Sequence, residues 1–194
     1  LFEYPTIEKL SNLLADKVQL TTPAKLEILS RPDKIPLSFS QERLWFIDKL
    51  EGSLSYHIPI VLNLRGDLNI RALEESIKLL ISKHEVLRTV IYEQQGEGFQ
   101  LIRSENDWKL SVTDFTEHKH DDQLIADYIQ QQVNQPFNLT EDFMLRAELL
   151  NIAHLQHSLI LTLHHIISDG WSTSILVKEV MENYDSISKG LSPI

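Results

Sequence analysis

Two adjacent histidines, His164 and His165, form the part of this sequence whose residue types are best suited to chemistry. They follow a run of apolar residues and precede Asp169 and Gly170, so the segment is typical of a strand that ends in a turn. An imidazole has an unperturbed pKa of about 6.5 and exchanges protons near neutral pH. The spacing therefore indicates an imidazole positioned at a strand end.

Neighbouring side chains on a strand point to opposite faces, which limits what the two histidines can do together. They cannot converge on one metal ion as an i, i+4 pair on a helix would, so we predict no metal site. Gly170 leaves the backbone free to bend, and the Asp169 carboxylate could then reach groups beside the strand end. The structural alternative is one ring in the core, one ring in solvent and an ordinary Asp-Gly turn.

Helical and strand patterns interleave around this segment. Helices are predicted after Ser38, after Asn69, after Asp121 or Asp122, and from about Trp171 to Ser188. Strands are predicted at His57–Arg65, Val86–Tyr92, Phe99–Ile102, Trp108–Val112, Leu145–Asn151 and His157–His165. The expected fold class is α+β, with a mixed sheet and helices packed against it.

The composition excludes several classes of function. A net charge of −10 opposes binding to nucleic acid or to an anionic membrane, since both are bound mainly through Lys and Arg. The absence of cysteine excludes disulfides, thiolate nucleophiles and cysteine-based zinc sites. No apolar run approaches the roughly 20 residues of a membrane span. We expect a water-soluble, cytoplasmic protein.

The N-terminal part differs from the rest of the chain. Pro5-Thr6 followed by apolar residues at helical spacing predicts a short amphipathic helix within residues 1–18. Periodicity fades over residues 19–34, where prolines favour an extended connector. The sequence therefore predicts that a separate folded unit begins near residue 35.

Several ordered segments resemble one family. His164–Ser172 resembles the HHxxxDG motif of nonribosomal peptide synthetase condensation domains, which are relatives of chloramphenicol acetyltransferase. Pro36–Phe46 resembles the opening motif of that family, Lys83–Thr89 its RHExLRT motif, and Pro136–Leu139 the segment before the catalytic strand. Leu1–Ile7 resembles the start of the last helix of a peptidyl carrier protein.

The resemblance implies a domain organisation and a reaction. Residues 35–194 would form the N-terminal, chloramphenicol acetyltransferase-like lobe of a condensation domain, after a carrier-domain helix at 1–18 and a linker at 19–34. In this family an amine on one carrier attacks a thioester on another, and an amide forms. The implied partners are upstream and downstream peptidyl carrier domains, an adenylation domain and the C-terminal lobe of the same condensation domain.

The resemblance also implies roles for individual residues. His165 would lie beside the attacking amine, and His164 would pack behind it. Asp169 would pair with a buried cation, for which the family pattern indicates Arg88. Lys83 stands where the family usually has Arg, and Lys cannot make a planar two-pronged contact. The substrates would be carried on the phosphopantetheine of partner carriers, with no cofactor bound directly.

Two alternatives remain open from the sequence. The first is a coenzyme A-dependent acyltransferase lobe, which would present the same imidazole motif; the carrier-like helix at Leu1–Val18 argues against it. The second is a carrier-docking module without catalysis. We also expect the 194 residues alone to be inactive, because the second lobe of the family's tunnel would lie beyond Ile194.

Overall fold

The computed structural model describes residues 6–9, 11–12 and 30–192 and divides the chain into two units, Leu1–Asp33 and Lys34–Ile194. In the first unit, residues 7–9 and 11–12 are helical, and the Lys9 amide donates a hydrogen bond to Thr6 Oγ1 over 3.2 Å. Thr6 therefore caps this helix as predicted. The rest of the predicted helix and most of the predicted connector lie outside the described residues.

The second unit contains the elements that carry the histidines. Its helices are α1 (Phe39–Glu51), α2 (Ile70–Lys83), α3 (Asp122–Val133) and α4 (Gly170–Ser188). Its strands are β1 (Ile35–Pro36), β2 (His57–Arg65), β3 (Thr89–Gln94), β4 (Glu97–Ile102), β5 (Ser111–Asp114), β6 (Leu145–Ala153) and β7 (Gln156–His164). None of the helices in the described ranges is both long and apolar enough to cross a membrane.

The strands form two sheets. A four-stranded sheet has the order β2-β7-β6-β5, antiparallel except for β5, which runs parallel to β6. A three-stranded antiparallel sheet has the order β1-β4-β3. The four-stranded sheet is mixed, and helices pack against it, so the predicted α+β class is confirmed.

The core lies on both faces of the four-stranded sheet. On one face, Ile77 of α2 and Val180 of α4 pack in one cluster with Leu149 of β6. On the other face, Ile125 of α3 packs in a second cluster with Leu150. Adjacent residues of β6 thus enter opposite clusters, as the two-residue period of a strand requires. Both faces of the central strands are therefore covered, which explains their nearly continuous apolar sequence.

Helix α1 is held less deeply. Its capping box is present as predicted: the Ser38 amide donates to Gln41 Oε1 over 2.9 Å, and the Gln41 amide donates to Ser38 Oγ over 3.3 Å. No residue of the helix is fully buried, although Leu44 and Trp45 pack against a small cluster that includes Ile166. Helix α1 consequently lies beside the loop that follows β7.

Two strands begin three residues later than predicted, each for a local reason. Residues 85–88 form a 3₁₀ turn, and β3 begins only at Thr89, whose hydroxyl donates to the Glu85 carbonyl over 2.8 Å. Strand β5 begins at Ser111, because Trp108 is buried and donates its indole N–H to the Leu145 carbonyl over 3.0 Å. By contrast, β2 has the predicted bounds.

Candidate active site

Strand β7 carries the histidine pair to the end of the sheet. It lies between β2 and β6, and residues 158–164 are buried. His164 is the last residue of the strand and is 0% exposed, whereas His165 is exposed. The two side chains therefore lie in opposite surroundings, one enclosed and one open, although the strand ends one residue before the predicted His165.

His165 opens into a pocket. Its backbone N–H donates to the Tyr56 carbonyl over 2.8 Å, which ties the residue to the turn after α1. The pocket has a volume of about 570 Å³ and brings α1, that turn and the loop after β7 together. It is lined by Ser40, Arg43, Leu44, Tyr56, His165, Ile167, Ser168, Asp169 and Ser172. A substrate can therefore reach the imidazole of His165 from solvent.

His164 has no such access, and both of its ring nitrogens are engaged. Its Nε2 lies 2.8 Å from Ser53 Oγ, and its Nδ1 accepts the amide N–H of Ile166 over 3.0 Å. Burial, followed by the charges of His57, His165 and Arg146, lowers the pKa of His164 to about 4. His164 is neutral at pH 7 and cannot take a proton from a substrate, so His165 is the candidate base.

An aromatic layer closes the inner side of the strand end. His57, opposite His164 in the β2–β7 register, meets Phe137 edge-on at 5.0 Å between ring centroids. Phe137 is 5.6 Å from His164, and the Arg146 guanidinium lies 3.9 Å from the Phe137 ring centroid. Burial lowers the pKa of His57, whose Nδ1 donates to the Val133 carbonyl over 2.8 Å. This layer excludes water from the back of His164.

Nothing in the local sequence pattern connected His57 with the site. The structure shows His57 packed against His164, with 6.0 Å between the ring centroids. The useful signal would have been the strand register, because His57 and His164 are cross-strand partners. A single sequence does not contain that register.

Asp169 caps a helix. It is the N-cap of α4, and its Oδ1 accepts from the Ser172 amide over 2.9 Å and from the Ser172 hydroxyl over 2.6 Å. These hydrogen bonds lower the pKa of the exposed Asp169 carboxyl. Gly170 is the first residue of α4, outside the positive-φ region, with nothing within 4 Å of an added Cβ. The turn between β7 and α4 therefore does not use the conformational freedom that was predicted for Gly170.

Arg88 lies elsewhere. Its Nη1 donates to the Arg103 carbonyl over 2.6 Å, its Nε donates to the Ile81 carbonyl over 3.3 Å, and its Nη2 is 3.8 Å from Glu85 Oε1. The predicted ion pair between Asp169 and Arg88 is wrong: Arg88 fixes the 3₁₀ turn before β3. Lys83, from the same motif, instead pairs with Glu179 of α4 over 3.1 Å.

No group of three or more His, Cys, Asp or Glu side chains in the described ranges is arranged to hold a metal ion. The chemistry that the site offers is that of one accessible imidazole and the hydroxyl, guanidinium and carboxylate groups around it. Such a site suits proton transfer to or from a bound substrate.

Comparison with known proteins identifies the family. The family model described as Condensation domain matches residues 31–193. The chain is 36% identical to a linear gramicidin synthase from Brevibacillus parabrevis over 200 residues, with 100% of this chain and 3% of that protein covered. It is 37% identical to the dimodular nonribosomal peptide synthase of Bacillus subtilis (strain 168) over 196 residues, with 100% of this chain and 8% of that protein covered.

Comparison with solved structures leads to the same family. The X-domain from teicoplanin biosynthesis has a TM-score of 0.76 and 29% identity, covering 87% of this chain and 36% of that chain. The starter condensation domain of rhizomide synthetase RzmA has a TM-score of 0.76 at 24% identity, covering 84% and 40%, and it supports the fold alone. With sequence, fold and histidine motif in agreement, the chain belongs to the condensation domain family of nonribosomal peptide synthetases.

Proposed function

We propose that this chain acts in amide bond formation between a donor acyl or peptidyl thioester and an acceptor amine, each held on a carrier protein. The observation that carries the proposal is the accessible imidazole of His165, at the tip of a buried strand and open to a pocket of about 570 Å³. The family membership supports the reaction class.

In the proposed reaction the amine nitrogen attacks the thioester carbonyl carbon, the C–N bond forms, and the C–S bond breaks. His165 accepts or orients the proton that the amine loses, and that proton neutralises the departing thiolate. A free α-amine has a pKa of about 7.7–8.0, so an appreciable fraction is already neutral at pH 7. General base catalysis contributes about 10²–10⁴-fold, whereas alignment of two reactants contributes about 7–11 kcal/mol. Positioning is therefore the larger part of the catalysis.

The partners in this proposal are peptidyl carrier domains upstream and downstream, an adenylation domain and a second lobe of the condensation domain. The named curated relatives are much longer, since the chain covers 3% and 8% of their lengths. The helix capped by Thr6 supports the assignment of residues 1–18 to the end of a carrier domain, and residues 19–34 would be the linker. The substrates would arrive on phosphopantetheine, and the location would be the cytoplasm.

The test is a single-turnover condensation assay in the synthetase that contains this chain, with His165→Ala. We expect the rate to fall by about 10²–10⁴-fold, because proton acceptance is lost while the fold is kept. The matched control is His154→Ala, which changes an exposed histidine in the turn between β6 and β7. An unchanged rate in His165→Ala would overturn the proposal.

We also propose that the 194 residues by themselves form no amide. The supporting observation is that the chain covers only part of each solved family member, 36% of one and 40% of another. The assay mixes the chain with two loaded carrier proteins and looks for product by mass spectrometry. Detection of the amide would contradict this part of the proposal.

A further inference from the structure

A chain of hydrogen bonds runs behind the catalytic strand end. Ser53 Oγ lies 2.5 Å from Asp48 Oδ1 and 2.8 Å from His164 Nε2. On the far side of the ring, His164 Nδ1 accepts the N–H of Ile166 over 3.0 Å. Ser53 is 4% exposed and follows α1, which contributes Asp48, so the chain links this helix to the loop after β7. No step of the proposed reaction uses Asp48 or Ser53 directly.

The direction of every hydrogen bond in this chain is fixed from both ends. At one end, a carboxylate only accepts, so the single hydroxyl proton of Ser53 points to Asp48. Ser53 Oγ is then left as an acceptor, and the proton of the neutral His164 ring must lie on Nε2. At the other end, the Ile166 amide only donates, so Nδ1 must be bare. Both ends require the same tautomer.

Backbone hydrogen bonds fix the residues on both sides of His165 as well. The amide of His164 donates to the Met144 carbonyl over 3.2 Å, and that of His165 donates to the Tyr56 carbonyl over 2.8 Å. Tyr56 is in turn tied to Ser53, whose carbonyl accepts the Tyr56 amide over 2.8 Å. Ser53 therefore reaches the residues around His165 by two routes, one through its hydroxyl and one through its carbonyl.

We infer that Asp48 and Ser53 are positioning residues for His165: they hold the buried His164 ring in the tautomer that accepts the Ile166 amide, and this fixes the loop from which the catalytic imidazole projects. The role in catalysis rests on the proposed function, whereas the hydrogen-bond chain does not. Removal of Asp48 frees the Ser53 hydroxyl to donate to His164 Nε2, so only the Ile166 amide still favours protonation at Nε2, and the tautomer protonated at Nδ1 becomes more populated. In that tautomer Nδ1 can no longer accept the Ile166 amide.

The first test uses the chain labelled with ¹⁵N at histidine and at backbone amides. Long-range ¹H–¹⁵N spectra report which nitrogen of His164 carries the proton, and hydrogen exchange reports the Ile166 amide. We expect Nε2 protonation in the wild type. In Asp48→Ala and in Ser53→Ala the Ile166 amide alone still favours Nε2 protonation, so we expect a larger fraction protonated at Nδ1 or averaging between the two nitrogens, with exchange at Ile166 faster by roughly 10-fold. An unchanged tautomer and unchanged exchange in both variants would overturn the inference.

Two further variants separate a missing hydrogen bond from other causes. Asp48→Asn keeps an acceptor oxygen and should behave as the wild type. A defect as large as that of Asp48→Ala would contradict the hydrogen-bond chain, because lost charge would then be the cause. Ser55→Ala removes an exposed hydroxyl two residues from Ser53 and should change neither readout. A change there equal to that in Ser53→Ala would contradict the assignment.

The second test measures condensation in the synthetase that contains the chain. Asp48→Ala and Ser53→Ala should each lower kcat by roughly 10-fold with unchanged KM for the loaded carriers, because the base is misplaced while the carriers still dock. Asp48→Asn should restore kcat. If His165→Ala leaves condensation unchanged, the proposed function fails. If His165→Ala abolishes it while Asp48→Ala and Ser53→Ala match the wild type, only the positioning inference fails.

Discussion

The two sides of the β7 end contain the same residue type in very different surroundings. On the inner side, His164 is sealed by His57 and Phe137, with both ring nitrogens bonded and its pKa lowered to about 4. On the outer side, His165 faces an open pocket and is fixed through its backbone. One histidine supports the structure and the other is available for chemistry, and the end of β7 at His164 separates the two roles.

The largest difference between the two sides should appear in stability. His164→Ala leaves a cavity, removes the hydrogen-bond partner of the Ile166 amide and removes one of the two partners of Ser53 Oγ. We therefore expect a loss of about 3–5 kcal/mol in the free energy of unfolding. His165→Ala should cost less than about 0.5 kcal/mol, as for other exposed sites. Urea denaturation of both variants checks this. Equal losses would remove the distinction between the two sides.

A second expected difference is the pH dependence of stability. The pKa of His164 is lowered from 6.5 to about 4 on folding, so the unfolded chain binds more protons between these values. The contribution of His164 to the free energy of unfolding is complete above pH 6.5 and is lost as the pH falls toward 4. The loss amounts to about 2 kcal/mol between pH 7 and pH 5. The measurement is urea denaturation at both pH values. His164→Asn, which cannot titrate, should lose that part of the dependence; an unchanged slope would contradict the assignment to His164.

A smaller effect is expected at Asp169, on the open side. Asp169→Ala removes the cap of α4 and should lower the free energy of unfolding by about 1 kcal/mol. Asp169→Asn keeps an acceptor and should lower it by only about 0.3 kcal/mol. Thermal and urea unfolding of the two variants distinguish a helix cap from a buried ion pair. A loss of about 3–5 kcal/mol in Asp169→Ala would restore the ion-pair interpretation.

The smallest effect is expected at Gly170. Because an added Cβ meets nothing within 4 Å and the backbone is not in the left-handed region, Gly170→Ala should change the free energy of unfolding by at most about 0.5 kcal/mol, toward stabilisation. Urea denaturation measures this change. A loss of more than about 1 kcal/mol would show that the outer side is more tightly packed than the structure indicates.

Much of the fold could be predicted because its signals are local. The alternation in His57–Arg65 gave the bounds of β2, and Ser38 with Gln41 located the start of α1. Local alternation predicted opposite surroundings for the two histidines, and the family resemblance indicated that His165 is the accessible one. These features depend on neighbours within a few residues, which a single sequence displays directly.

The errors and omissions concern contacts between distant residues or competing local bonds. Ser53 and His164 are 111 positions apart, so nothing in the sequence joined them. For Asp169, a local signal was present: Asp with Ser three residues later, before an apolar helical pattern, favours an N-cap. The ion pair with Arg88 came from the resemblance and overrode that signal.

Trp171 adds a practical consequence. It is 82% exposed in the first turn of α4, two residues beyond Asp169 at the pocket wall, whereas Trp108 is 4% exposed beneath the sheet. Iodide should quench the fluorescence of Trp171 and spare that of Trp108. The molecule therefore contains one tryptophan that iodide reaches readily, between the pocket-lining residues Asp169 and Ser172, whereas the partly buried Trp45 and the buried Trp108 are less accessible.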